Sequence, residues 1–214
     1  SAVNPKWNYV YSANNQPEPI DGYLYPGYYL PEDRAKRIDQ LLAPKSNWDK
    51  EAVSKMIFDN RSSVATDVVK NLLSEVDYKT FSKNEKEALK VLKSWNGSNN
   101  LEDIGPTIYN KWIYLYLKNT FEDEMGEANF KQFLGTHIMK QIIAKQMANK
   151  ESLWWDNVET KNIKETRSQI LTMSFKQAVH SLEDQLGNSI TTWTWNKVHT
   201  VEHQHPLGKI AILK

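Results

Sequence analysis

Apolar residues recur at helical spacing from Pro31 onward, and before it they do not. Tyr9, Val10 and Tyr11 stand in a row, followed by Asn14-Asn15 and prolines at 17, 19 and 26. The aromatic run predicts a short strand over Tyr9–Ala13, and "EPIDGYLYPGYYLP" an ordered loop. Pro31 with Glu32 and Asp33 suits a helix N-terminus, and Ile38, Leu41 and Leu42 give that helix an apolar face ending by Pro44. A second helix begins near Trp48, capped by Ser46 or Asn47, and after a break near Arg61–Ser63 the pattern resumes over Val64–Leu73. Ser82-Lys83-Asn84-Glu85 reads as a capping box ahead of Ala88, Leu89, Leu92 and Trp95, stopped by Gly97. Pro106 opens a helix carrying Ile108, Trp112, Leu115 and Tyr116. Phe130, Phe133, Leu134, His137, Ile138 and Gln141 mark another. Asn162 and Glu165 suggest a second capping box before Leu171, Phe175, Ala178, Val179, Leu182 and Leu186, with Gly187 as the stop. Alternating Thr, Trp and Val then predict a strand within Trp193–His203.

The expected fold is therefore mainly α. It is an irregular multi-helix domain over residues 31–190, with short β pieces at both ends. Residues 1–30 form the strand and the ordered loop that carries the Asn-Asn motif, and 191–214 a short β or irregular tail. The apolar finish "KIAILK", with no cap or polar end, reads as an excised piece.

Composition narrows the function classes. The net charge is +1 with Lys and Arg interspersed among Asp and Glu, which argues against nucleic acid and against a basic membrane face. No apolar run reaches the ~18 residues that a bilayer span needs. Without cysteine there is no disulfide, thiolate metal site or cysteine nucleophile among these residues. Eight Trp and ten Tyr point to a bulky core or a wide apolar contact surface, since both rings seek partners for their polar tips.

Three constellations bear on chemistry. Asn14-Asn15 before Pro17 reads as a turn, or as an amide donor for a developing alkoxide. Arg34 and Arg37 share a helix face; they read as surface salt bridges, or as a guanidinium aimed back at the Asn14 loop. His199, His203 and His205 around Glu202 offer nitrogen and oxygen ligands for zinc, but no H-E-x-x-H order, and read more simply as structural histidines. His137 reads as a core residue, and Glu122, Asp123 and Glu124 as a solvated face. There is no glycine-rich phosphate loop and no G-x-S-x-G elbow.

"SANNQP" followed by "YPGYYLPEDRAKRI" resembles the β-subunit of the penicillin amidase (penicillin acylase) family of N-terminal-nucleophile hydrolases. The similarity continues through Phe58-Asp59 to Ser63 and Ala65, then "LKSWNG", "WWDNVETKNIKETR" and "WTWNKVHTVEHQHPLG", in order along nearly the whole chain. The resemblance implies a segment of a larger αββα hydrolase that cleaves linear amide bonds through an acyl-enzyme and acts in antibiotic metabolism or on other amides. It makes Asn14 an oxyanion donor and Arg34 the guanidinium near the nucleophile's α-amino group. It implies partners in the rest of the parent, namely the missing sheet and α-subunit, and a small-molecule amide substrate. It implies no cofactor in this segment, calcium in the parent with Asp21 as a candidate ligand, and a periplasmic or secreted location. Asn96 stands where the family pattern has Asp, and Asn196 where it has Gly. The family's nucleophile, a Ser or Cys opening the β-subunit, lies well upstream of such a loop. Ser1 is too close to Asn14 to fill that role, so the segment alone is expected to be inactive. The alternatives are a non-catalytic helical packing module and a zinc protein.

Overall fold

The computed structural model describes residue 3 and residues 5–201. Over half of these are helical, in α1 (Asp33–Leu42), α2 (Lys50–Ile57), α3 (Ala65–Glu75), α4 (Lys83–Ser94), α5 (Gly105–Met125), α6 (Glu127–Leu134), α7 (Ile138–Ala148) and α8 (Arg167–Leu186). Short 3-10 turns occupy Leu153–Trp155, Ile190–Thr192 and Trp195–Lys197.

The ends of these helices follow local chemistry. Ser82 accepts from the Glu85 amide while Glu85 reaches back to the Ser82 amide, so α4 opens on the expected capping box. Asp49 caps α2, accepting from the Ala52 amide at 2.8 Å, where Ser46 or Asn47 had been expected. The second box is Thr166 with Gln169, not Asn162 with Glu165. Glu165 is already engaged, accepting from the Asn157 amide at 3.0 Å and from the Thr160 hydroxyl. Gly187 ends α8 at φ +88°, a backbone state that costs glycine little.

α5 is the axis of the molecule. Its buried residues, among them Ile108, Trp112, Ile113, Tyr116, Leu117 and Phe121, recur three and four apart and form a wide apolar face, with Asn110 and Tyr114 exposed on the other side. α8 lies along it. Trp112 donates its indole N–H to the Leu171 carbonyl at 3.2 Å and meets Phe175 edge-on, with centroids 4.8 Å apart. Asn119 bonds Ser174 and Gln177 from the same face. α3, α4, α6 and α7 close round this pair, contributing Leu72, Leu92, Phe130 and Ile143 to one continuous core.

The extended ends differ from expectation. Residues 9–13 form no strand, because no other described segment lies beside them to complete a ladder. One isolated bridge joins Ile20 and Tyr23 across Asp21 and Gly22, both at positive φ, the geometry of a tight two-residue hairpin. Over 193–201 the alternating Thr and Trp coil into 3-10 turns, so no strand forms there either; 202–203 lie outside the described residues. The helix expected across residues 130–141 is two, broken at Gly135–His137, and His137 is exposed beside Tyr28 with centroids 6.1 Å apart.

Trp112→Ala removes the largest fully buried ring on α5 and should lower unfolding stability by ~3–5 kcal/mol, read from denaturant midpoints. A loss under about 1 kcal/mol would mean that the α5–α8 seam is not the centre of the core.

Candidate functional site

The two asparagines of the Asn14-Asn15 pair have opposite fates. Asn15 turns onto its own backbone. Its Oδ1 accepts from the Ala13 amide at 3.3 Å, and its Nδ2 donates to the Gln16 carbonyl at 3.2 Å. Asn14 sits at φ +60°, a left-handed state that Asn tolerates better than most residues. Its carbonyl accepts from the Leu30 amide at 2.8 Å, so its backbone is fixed. Its side chain is exposed and forms no hydrogen bond among the described residues. Gln16 braces the loop from the far side, donating to the Tyr25 carbonyl at 3.1 Å.

α1 begins three residues after Leu30. Asp33 and Arg37, one turn apart, face the helical body, while Arg34 lies about 100° round the helix and is exposed. The Asp33 carboxylate accepts from the Ser62 hydroxyl at 2.8 Å, the Ser63 amide at 2.7 Å and the Ser63 hydroxyl at 2.9 Å. Arg37 grips Asp59 side-on through Nε at 2.8 Å and a terminal nitrogen at 2.6 Å. Of the two arginines, then, Arg37 makes the ion pair and Arg34 is left open. No hydrogen bond joins Arg34 to Asn14 among the described residues. Tyr9 donates its hydroxyl to Asp39, tying the chain before the Asn-Asn loop to the same helix; that bond pushes the phenol up to about 12.

The loops that α1 rests on form a ledge. Residues 59–62 bond to residues 97–100 through Ser62 N–H to the Gly97 carbonyl at 2.9 Å, and through Asn60 with Asn99 and Asn100. Residues 101–103 in turn accept from the Trp195 and Asn196 amides, at 2.9 Å each. Behind α1 a cleft of about 750 Å³ separates Pro31, Asp33 and Lys36 from Val68, Tyr109 and Ile113. Tyr109 leans on Trp95 there, with centroids 5.1 Å apart; burial and the nearby Asp33 carboxylate both push its hydroxyl upward.

Two runs on this ledge are the ones already singled out in the sequence, Asp59 to Ala65 and Trp95-Asn96-Gly97, and Trp193 to His199 adjoins them. The family model described as penicillin amidase matches residues 1–214. The chain belongs to the penicillin amidase family. It is similar to the acyl-homoserine lactone acylase QuiP of Pseudomonas aeruginosa, 25% identical over 229 residues, covering 99% of this chain and 27% of that protein. It is similar also to the QuiP of Pseudomonas fluorescens, 26% identical over 129 residues, covering 58% of this chain and 16% of that protein. The chain thus spans about a quarter of the length of the first of these relatives.

The structure gives the two departures from the family pattern a physical account. Asn96 accepts from the Ser98 amide through Oδ1 at 2.9 Å, a role that an aspartate oxygen performs equally well. Asn196 donates to Glu102 at 3.0 Å and accepts from the Thr194 hydroxyl, bonds that a glycine cannot make. His199 stacks on Trp195, with centroids 4.6 Å apart and planes 9° from parallel. Glu202, His203 and His205 lie outside the described residues, as does Ser1. Among the described residues no three or more carboxylate or imidazole groups gather as a metal site, and Asp21 occupies its hairpin turn.

The signal for Asp33 was present in the sequence only as an acidic residue favourable in a first helical turn. Its three bonds to Ser62 and Ser63 became visible once α1 and the 59–63 loop were brought together.

Two outcomes test the ledge. Gly97 has φ +87°, and an added Cβ would meet the Ser62 carbonyl at 2.6 Å, so Gly97→Ala should destabilise by ~1–3 kcal/mol in denaturant unfolding. The second concerns pH. The Arg37 guanidinium, aided by the Arg61 amide, holds the Asp59 carboxyl below the usual aspartate value. A depressed folded pKa gives stability present above the unfolded value and lost as pH falls through the folded one. The gap in melting temperature between the wild-type chain and Asp59→Asn should be constant above about pH 5 and close as pH drops below about 4. A gap that widens on acidification would remove the ion pair from the account.

Proposed function

We propose that this chain is the helical section of a larger amidase that hydrolyses linear amide bonds, with Asn14 as oxyanion donor and Arg34 beside it. One observation carries the reading: a neutral amide is presented from a pinned, left-handed backbone position with its N–H groups uncommitted. A donor of that kind stabilises a developing alkoxide without reorganising and without bringing a charge. Family membership and the acylase names of the similar proteins support the reaction class. The acyl amide of an acyl-homoserine lactone is therefore the first substrate class to try, ahead of β-lactams.

In the proposed cycle a Ser or Cys from the rest of the parent attacks the amide carbonyl carbon, and its proton passes to its own α-amino group. The carbonyl oxygen becomes the oxyanion and accepts from Asn14 Nδ2. Collapse breaks the C–N bond, and the proton moves from the α-ammonium to the leaving amine. Water then attacks the acyl-enzyme, releasing the acid and restoring the nucleophile. Arg34, held near the α-amino group, disfavours that group's cationic form and orients the Asn14 amide. The rest of the parent also covers the exposed rings of Trp7, Tyr11, Tyr23, Tyr25 and Tyr28. A periplasmic or secreted location and a calcium ion elsewhere in the parent belong to the same reading.

The test is made in the full-length enzyme with acyl-homoserine lactones and chromogenic arylacetyl amides. Asn14→Ala should leave maturation and KM nearly unchanged and lower kcat by ~10²–10³. Asn15→Ala should cost far less, because its amide serves the loop. The 214-residue chain alone should show no turnover. Mature Asn14→Ala enzyme working at the parental rate would reduce the Asn-Asn motif to a turn.

A further inference from the structure

α1 is attached to the protein in an unusual way. Among the described residues before Ala65, only Ala13 and Ala35 are buried. Two methyl groups contribute little apolar burial. The continuous core begins at Val68 and Val69 and takes nothing from α1 or α2. The cleft of about 750 Å³ lies where an apolar interface would otherwise be. What joins α1 to the helical body is polar: Asp33 on Ser62 and Ser63, and Arg37 on Asp59, with Gln141 donating to the Tyr29 carbonyl at 3.0 Å just before the helix.

The Asn14 loop travels with α1. Leu30 holds the Asn14 carbonyl and Tyr9 holds Asp39, so both flanks of the loop are fastened to the helix or to its lead-in. Arg34 is the residue after Asp33, with no flexible link between them. Displacing the first turn of α1 therefore displaces Arg34 directly and Asn14 through Leu30. The other side of the clamp is rigid: residues 60–62 are pinned to 97–100 by backbone and amide bonds.

We propose that Asp33, with the Arg37–Asp59 pair, is a positioning clamp that sets Arg34 for turnover; this rests on the assignment of Arg34, beside Asn14, to the amide-hydrolysing centre. A clamp of hydrogen bonds is directional, whereas a helix held by apolar packing could slide or rotate along its groove. Donors at a transition state must be placed closely, since a shift of about 1 Å can cost ~100-fold in rate.

The experiment uses the full-length enzyme and a chromogenic amide. Asp33→Ala, Ser63→Ala and Arg37→Lys are each made in the parental and in the Arg34→Ala backgrounds. In the parental background Asp33→Ala should lower kcat ~10-fold, with Ser63→Ala and Arg37→Lys each nearer ~3-fold, and KM should stay within about twofold. In the Arg34→Ala background the same changes should lower kcat by much less, because the group they position is already gone. Ser63→Ala removes one hydroxyl and leaves the Ser63 amide on Asp33, so it gives the same comparison if Asp33→Ala does not fold. A slow Arg34→Ala enzyme together with parental kcat in the clamp variants overturns the clamp and leaves the site standing. Equal losses in both backgrounds also overturn it, since the clamp would then act independently of Arg34. Arg34→Ala at the parental rate removes the site assignment, and the clamp proposal with it.

Discussion

The Asp33 carboxylate is the point on which α1 is tied to the helical body. It collects a backbone amide and two hydroxyls from Ser62 and Ser63 and sits at the positive end of a helix. Hydrogen bonds to a carboxylate are stronger than neutral ones, and three on one group leave it little freedom. Arg37, one turn on, adds a two-point bond to Asp59, and both side chains are about four-fifths covered. Partial burial shields this pair from the screening that makes exposed ion pairs nearly worthless. Together they tie the first two turns of α1 to the 59–63 loop, and Tyr9 is tied to the same helix through Asp39.

Behind that clamp the helical body provides a frame. Trp112, Phe175 and Phe81 pack in sequence, edge-on and then stacked at 5.2 Å, while Tyr116 lies against Trp155. Their polar tips are satisfied internally: the Trp112 indole by Leu171, the Tyr116 hydroxyl by Ile143, the Trp155 indole by Asn149 and the Trp193 indole by Gly187. Part of the aromatic richness of the composition is thus core. Another part is exposed in the opening segment, and the two uses obey different rules. Core rings are held by area and close contact. The exposed rings of residues 7–28 have no such cover and leave the backbone of residues 9–13 without a ladder.

The helices were legible in the sequence because their signals are local. Ser82 with Glu85, Pro106, Gly97 and Gly187 all act within one turn of where they stand, and the spacing of Ile108, Trp112 and Tyr116 marks the buried side of α5 without reference to any other element. The family motifs were legible too, since order along a chain is a one-dimensional property. Errors arose where local options were nearly equal. Asp49 displaced Ser46 and Asn47 as a cap, and Thr166 displaced Asn162. Two helices formed where the apolar pattern ran on through Gly135.

What the sequence alone determined, then, is most of the helical segments and several of their stops, and that Asn14 and Arg34 are of a type suited to an amide-hydrolysing centre. It did not determine which arginine would be left open. Arg34 and Arg37 are equivalent by spacing, and only the arrival of Asp59, 22 residues beyond Arg37, takes one of them into an ion pair. Nor did it determine that Asn15, not Asn14, folds onto its backbone, or that the tail before Val201 coils. A strand needs a neighbour at hydrogen-bonding distance, and a charge needs a partner brought close through space; both are properties of tertiary structure, which periodicity along one chain does not encode.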